Sequence, residues 1–131
     1  MSQLNQLIIE GNLVRDPEYK EGLTGKNLST FTLAVNRLTR NAAGEVQHEA
    51  QFFDVEAWGG TAEFGKKNGF KKGDELRVVG RLKQNTWMDE TGKKHSKLSI
   101  VAEHIDRLRE VSRKPEVKKE RSRDEGYYRG Y

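Results

Sequence analysis

The chain has 131 residues, enough for one domain with a core of its own and a short extension. Charged residues make up 34% and aromatics 8%, so a small core under a heavily charged surface is expected, and the lack of cysteine excludes disulfides and thiolate metal sites. The net charge of +4 permits an anionic partner without demanding one, and no apolar stretch approaches the roughly 20 residues that cross a bilayer.

The first apolar run is Leu4 to Val14. Leu7, Ile9 and Leu13 share one parity, with Gly11 between them, while Glu10 and Asn12 take the other. Period two predicts a half-buried strand, and the internal glycine a bulge or sharp bend. Asp16-Pro17 breaks the run, and residues 20–27 read as a turn-rich connection. Leu28 to Arg37 is a second strand, with Phe31, Leu33 and Val35 alternating with Thr30, Thr32 and Ala34. Residues 38–50 are polar and read as a long exposed loop.

Phe52 to Trp58 is the third strand. Phe53, Val55 and Ala57 form one face; Phe52, Asp54, Glu56 and Trp58 form the other. Gly59-Gly60 ends it, and Thr61 is the expected cap of a short helix through about Asn68. After the turn at Lys71 to Asp74, the fourth strand runs from Glu75 to Trp87. Leu76, Val78 and Leu82 are expected inward and Arg81, Lys83 and Trp87 outward. Asp89 to Gly92 is a hairpin turn. A fifth strand from about Lys97 to Ile105 should point Leu98, Ile100 and Ala102 inward.

Five strands, with one helix between the third and fourth, is the order of an OB-fold, an all-β Greek-key barrel often used for oligonucleotides. Another small barrel or sandwich is compatible with the same pattern. Residues 1–110 therefore read as one domain. Residues 111–131 hold 7 of the 24 basic and 4 of the 20 acidic residues, leaving a nearly neutral body. With only Val111 and Val117 as aliphatic side chains, this basic tail is expected to be disordered.

The sequence offers little for catalysis. His48, His95 and His104 do not pair at metal-ligand spacing and read as solvated or locally hydrogen-bonded. Asp54 and Glu56 share a strand face and could hold Mg²⁺ in a nuclease, but exposed acids at alternate positions are common. There is no P-loop, nucleophile elbow or Gly-rich dinucleotide turn, so no enzyme activity and no cofactor is expected. Flat rings beside cations stand out instead. Phe52 and Trp58 share the outward parity of the third strand, and Trp87 shares that of Arg81 and Lys83 on the fourth. Bases of any identity stack on such rings while Arg and Lys follow the phosphates. Alternatively, the rings pack under the helix or at a subunit contact.

An ordered set of stretches resembles the bacterial and mitochondrial single-stranded DNA-binding protein family. They are Leu4 to Leu13 with Arg15-Asp16-Pro17, Phe31 to Arg37, Phe52 to Gly59, Ala62-Glu63, Lys71 to Gly73, and Val79 to Leu82 running on to Trp87 and Gly92. The resemblance implies an OB-fold homotetramer, with a dimer as the alternative. It implies sequence-independent binding of single-stranded DNA in replication, recombination and repair, in the bacterial cytoplasm at the nucleoid and without a membrane. It carries stacking roles onto Phe52, Trp58 and Trp87, beside which Arg15, Arg37, Arg40, Lys72, Arg81 and Lys83 are the cations expected to contact the strand.

Three departures go with it. Leu38-Thr39-Arg40 stands where the family often has another aromatic, and Asp54 and Glu56 stand where neutral or basic residues are more usual. The Arg, Gly and Tyr ending at Gly126 to Tyr131 differs from the acidic tip that recruits the family's protein partners, so that recruitment is not expected here. The rival reading is an OB-fold oligomer acting through its tail on protein partners, with weak or no DNA binding.

Overall fold

The computed structural model describes residues 2–22 and 26–111. The tail beyond Val111, and every expectation placed on it, lies outside the described residues. Six strands and one helix follow in the order β1 (Leu7–Leu13), β2 (Glu18–Glu21), β3 (Asn27–Arg40), β4 (Val46–Trp58), α1 (Gly60–Lys67), β5 (Glu75–Met88) and β6 (Lys94–Arg109). The sheet order is β1-β5-β6-β4-β3-β2, and β1 also pairs with β3. That second pairing, at Asn12 with Ala34 and Leu13 with Leu33, closes β1, β5, β6, β4 and β3 into the expected five-stranded barrel. Closure brings β4 and β6 together in parallel through Val55, Glu56 and Ala57.

The period-two pattern is what the barrel buries. Phe31, Leu33, Val55, Ala57, Leu76, Val78, Ile100, Ala102 and Ile105 form one core with Leu13 and Phe70. Tight curvature depends on two glycines. A Cβ at Gly11 would meet the carbonyl oxygen of Ala34 at 2.6 Å, and one at Gly80 that of Val101 at 2.1 Å. At each point one strand lies against its neighbour's backbone, and at Gly80 the β5–β6 register also slips.

Four local expectations are corrected. Part of the supposed connection over 20–27 is strand: β2 forms an antiparallel hairpin with the start of β3, Glu18 opposite Thr30 and Glu21 opposite Asn27. Residues 38–50 are not a loop. β3 and β4 stay paired out to Arg40 and Val46, because polar side chains suit a two-stranded arm with water on both faces. The arm turns over Asn41–Glu45, where the Asn41 side chain accepts from the backbone N–H groups of Ala43 and Glu45. Thr61 is not the helix cap. Gly59 holds that position at φ 56° with no side-chain cap bond, and its carbonyl accepts from the N–H of Glu63.

Leu82 and Leu98 keep the inward parity but are exposed, at 46% and 61%. The β5–β6 hairpin projects past the barrel there, and parity alone does not say where a core ends.

The floor of the barrel is tied by Asp74, which is fully buried. Its carboxylate accepts from the backbone N–H groups of Lys71 (3.1 Å) and Val111 (2.9 Å) and from Arg107 Nη1 (3.3 Å). One side chain thus joins the turn before β5 to the end of β6.

Candidate nucleic-acid interface

The ladders decide which side chains share the barrel's outer face. On β4, Phe52, Asp54, Glu56 and Trp58 alternate outward, opposite Ala34, Thr32, Thr30 and Leu28 of β3. Glu56 lies beside Val101 of β6, and Val101 is opposite Arg81 of β5. The same β5–β6 face continues through Lys83 with Ser99, Asn85 with Lys97 and Trp87 with His95. All three rings, Arg81 and Lys83 therefore stand on one continuous surface. Phe52, Trp58 and Trp87 are 62%, 41% and 49% exposed, which is costly apolar display for a barrel that has room for only a small core.

Two rings are held from below or beside. The Trp87 ring stacks on His95, with centroids 5.5 Å apart and planes 18° from parallel, and His95 Nε2 lies 2.8 Å from Asp89 Oδ2. Trp58 Nε1 donates to Glu56 Oε1 at 3.0 Å, and Lys83 Nζ donates to the same oxygen at 3.0 Å. Each arrangement fixes a ring plane while leaving a face open.

On the same face, at Asp54 and Glu56, lies a groove of about 340 Å³ whose lining also includes Arg15, Thr30, Asn85 and Lys97 but none of the three rings. Cations and acids are interleaved along it. Lys97 Nζ lies 2.7 Å from Asp54 Oδ2, and Thr32 donates to Asp54 Oδ1 at 2.9 Å. Lys97 first, and then Thr32, holds the Asp54 carboxyl below the ordinary aspartate range. Arg81 pairs with Glu103 at 3.1 Å. Asp54 and Glu56 thus each have an ammonium in contact, and no group of three metal-ligating side chains occurs among the described residues.

The other expected contacts are more scattered. Arg15 is exposed on the groove wall and makes no ion pair among the described residues. Arg37 sits on the β3–β4 arm opposite Glu49, on the parity facing away from Phe52. Arg40 is at the tip of that arm, where its Nη1 donates to the Gly44 carbonyl at 2.9 Å. Lys72 is exposed in the turn after α1, where its backbone N–H donates to Asp16 Oδ1 at 2.7 Å. These last three do not line the groove. Lys97 and Asn85 do, and sequence reasoning missed them. The register follows from Asp89 lying opposite Lys93, with Gly92 as the extra residue of the turn, which places Lys97 opposite Asn85, two positions from Trp87.

The family model for the single-strand binding protein family matches residues 4–108. This chain belongs to that family. A curated relative, the single-stranded DNA-binding protein of Aquifex aeolicus, is 44% identical over 102 residues, which cover 78% of this chain and 68% of that one. Among solved structures, a deletion mutant of the single-stranded DNA binding protein from Thermus aquaticus superposes with a TM-score of 0.71 at 28% identity. It covers 80% of this chain and half of that one. A Plasmodium falciparum SSB in complex with ssDNA gives a TM-score of 0.69 at 19% identity, covering 81% of this chain and 94% of the other, and so shares the fold. The matched stretch holds the whole described barrel apart from its ends, with all three rings and the groove. Among the described residues no helix is long and apolar enough to cross a membrane.

Proposed function

We propose that this member of the single-strand binding protein family coats single-stranded DNA without sequence preference during replication, recombination and repair. It does no chemistry on the strand. The observation that carries this reading is that Phe52, Trp58 and Trp87 stand open to solvent on the same face as a groove walled by Arg15 and Lys97. Rings take the bases and cations the phosphates. The binding domain is residues 1–110, acting in the cytoplasm.

The working form is a homotetramer, with a dimer as the alternative. The outer side of β1 supports association, since Ile8 is 63% exposed there beside the Glu10–Arg77 ion pair. Within the assembly the outlying Arg37, Arg40 and Lys72 extend the phosphate track beyond one groove.

Tryptophan fluorescence titrated with oligo-dT of graded length tests the reading. Stacked bases should quench Trp58 and Trp87, saturation should give the site size, and log affinity should fall with log salt by about 0.7 per phosphate contacted. Failure to bind any single strand would favour an oligomer that serves protein partners. Sedimentation showing a stable monomer would overturn the assembly.

A further inference from the structure

Resting on the single-strand-binding reading, we infer that Glu56 is a base-selecting residue. It biases the site at Trp58 toward bases that carry an exocyclic amino group and away from thymine. The argument begins with what the carboxylate already does. Its Oε1 accepts from both Trp58 Nε1 and Lys83 Nζ, each at 3.0 Å. Its Oε2 has no hydrogen-bond partner among the described residues, and Glu56 lines the groove. The side chain is only 17% exposed, and Trp58 and Lys83 together restrict its rotation. A fixed, acceptor-only oxygen therefore sits beside the ring that would carry a base.

In a single strand the Watson–Crick edge of that base is free. Cytosine presents an N4 amino donor there and adenine an N6 amino donor, both suited to a carboxylate. Thymine presents an N3–H between two carbonyl oxygens, and those oxygens repel the carboxylate. Stacking on Trp58 accepts every base, so the carboxylate adds a bias to a tolerant site. Lys83 is part of the same device, because its pairing with Oε1 keeps that oxygen occupied and leaves Oε2 for the ligand.

Replacement by glutamine makes a sharp test. The amide oxygen would take the place of Oε1, since Trp58 and Lys83 both donate there. That puts the amide NH₂, a donor, where Oε2 was. Cytosine and thymine have rings of the same size, so their comparison isolates the edge. Short oligo-dC and oligo-dT of equal length are titrated against the full chain and its E56Q and E56A variants.

The dC-over-dT affinity ratio should fall by about three- to tenfold in E56Q, the worth of one net hydrogen bond, with E56A between. E56A reports even if E56Q folds poorly. An unchanged ratio with both affinities lowered equally would overturn the inference, since that is what a purely structural Glu56 would do. A ratio that rises would overturn it too. Loss of binding to every oligonucleotide by the unmodified chain would remove the single-strand reading itself, and this inference with it.

Discussion

Asp74 and the pair Asp54 and Glu56 are carboxylates with cationic partners in one small barrel, yet one is buried inside it and the others stand on its outer face. Asp74 is wholly buried, and its carboxylate ties parts of the fold together through two backbone N–H groups, Arg107 and, at 3.8 Å, the Lys71 ammonium. Asp54 and Glu56 stand on the outer face, where Lys97 and Lys83 answer them from neighbouring strands. A buried charge must keep its partners, because losing one leaves the rest desolvated and unpaired. An exposed pair such as Asp54 with Lys97 can exchange its partner for water or ligand at small cost. Charge on the floor therefore holds the barrel together, and charge on the face is available to the strand.

Removing the two kinds of acid is the strongest way to break that contrast. Asp74→Ala leaves two N–H groups without an acceptor, takes the carboxylate from Arg107, whose remaining acceptor is the Asn68 carbonyl, and should destabilise the fold by about 3–5 kcal/mol. Asp54→Ala should cost less than about 1 kcal/mol, because its pair with Lys97 is exposed. Urea unfolding midpoints read both. Equal losses from the two variants would erase the distinction.

The rings sharpen it from the other side. Trp87→Ala removes a half-exposed ring whose stacking partner is a side chain of the projecting hairpin, not the core. Oligo-dT affinity should fall by about 1–3 kcal/mol while the unfolding midpoint and the assembly hold. A variant that unfolds readily but binds normally per folded molecule would mean that the ring belongs to the structure.

Much of this was legible in the residues. Alternation at Phe31, Leu33 and Val35, and again at Phe53, Val55 and Ala57, set the inward faces. Gly11 marked a bulge or sharp bend in β1, and outward parity put Phe52 with Trp58 and Trp87 with Arg81 and Lys83. What escaped depends on partners that alternation does not name. The polar arm over 38–50 is held by pairing between two hydrophilic strands, which leaves no apolar signature. The exposure of Leu82 and Leu98 depends on where β1 and β4 stop covering the β5–β6 hairpin. Lys97 joins the groove only once the register across the hairpin is known. That Asp54 and Glu56 are tied to lysines could not be read from one strand.

Asp89 falls between the two classes of acid and gives the smallest expected effect. It stands at the tip of the β5–β6 hairpin, in solvent reach, but is engaged on every side. Oδ1 accepts from the Thr91 hydroxyl at 2.6 Å and from the backbone N–H groups of Thr91 and Lys93, both at 2.9 Å, while Oδ2 faces His95. Thr91 first, then His95 and the Lys93 N–H, bring its carboxyl from an ordinary 3.8 down to about 2. These bonds favour the charged form in the folded state, so the folded value lies below the unfolded one. The turn's contribution to stability is therefore complete above about pH 4 and is lost as pH falls through about 2. His95 also supports the Trp87 ring, so the same protonation should loosen that platform. Carboxyl carbon shifts followed by NMR should show Asp89 titrating near 2, with Trp87 indole signals moving in step. In Asp89→Ala that step in the indole signals should disappear, while the acid response of the rest of the barrel persists. An Asp89 midpoint near 3.8 would show that the turn does not hold its acid, and exposure alone would then separate this carboxylate from Asp74.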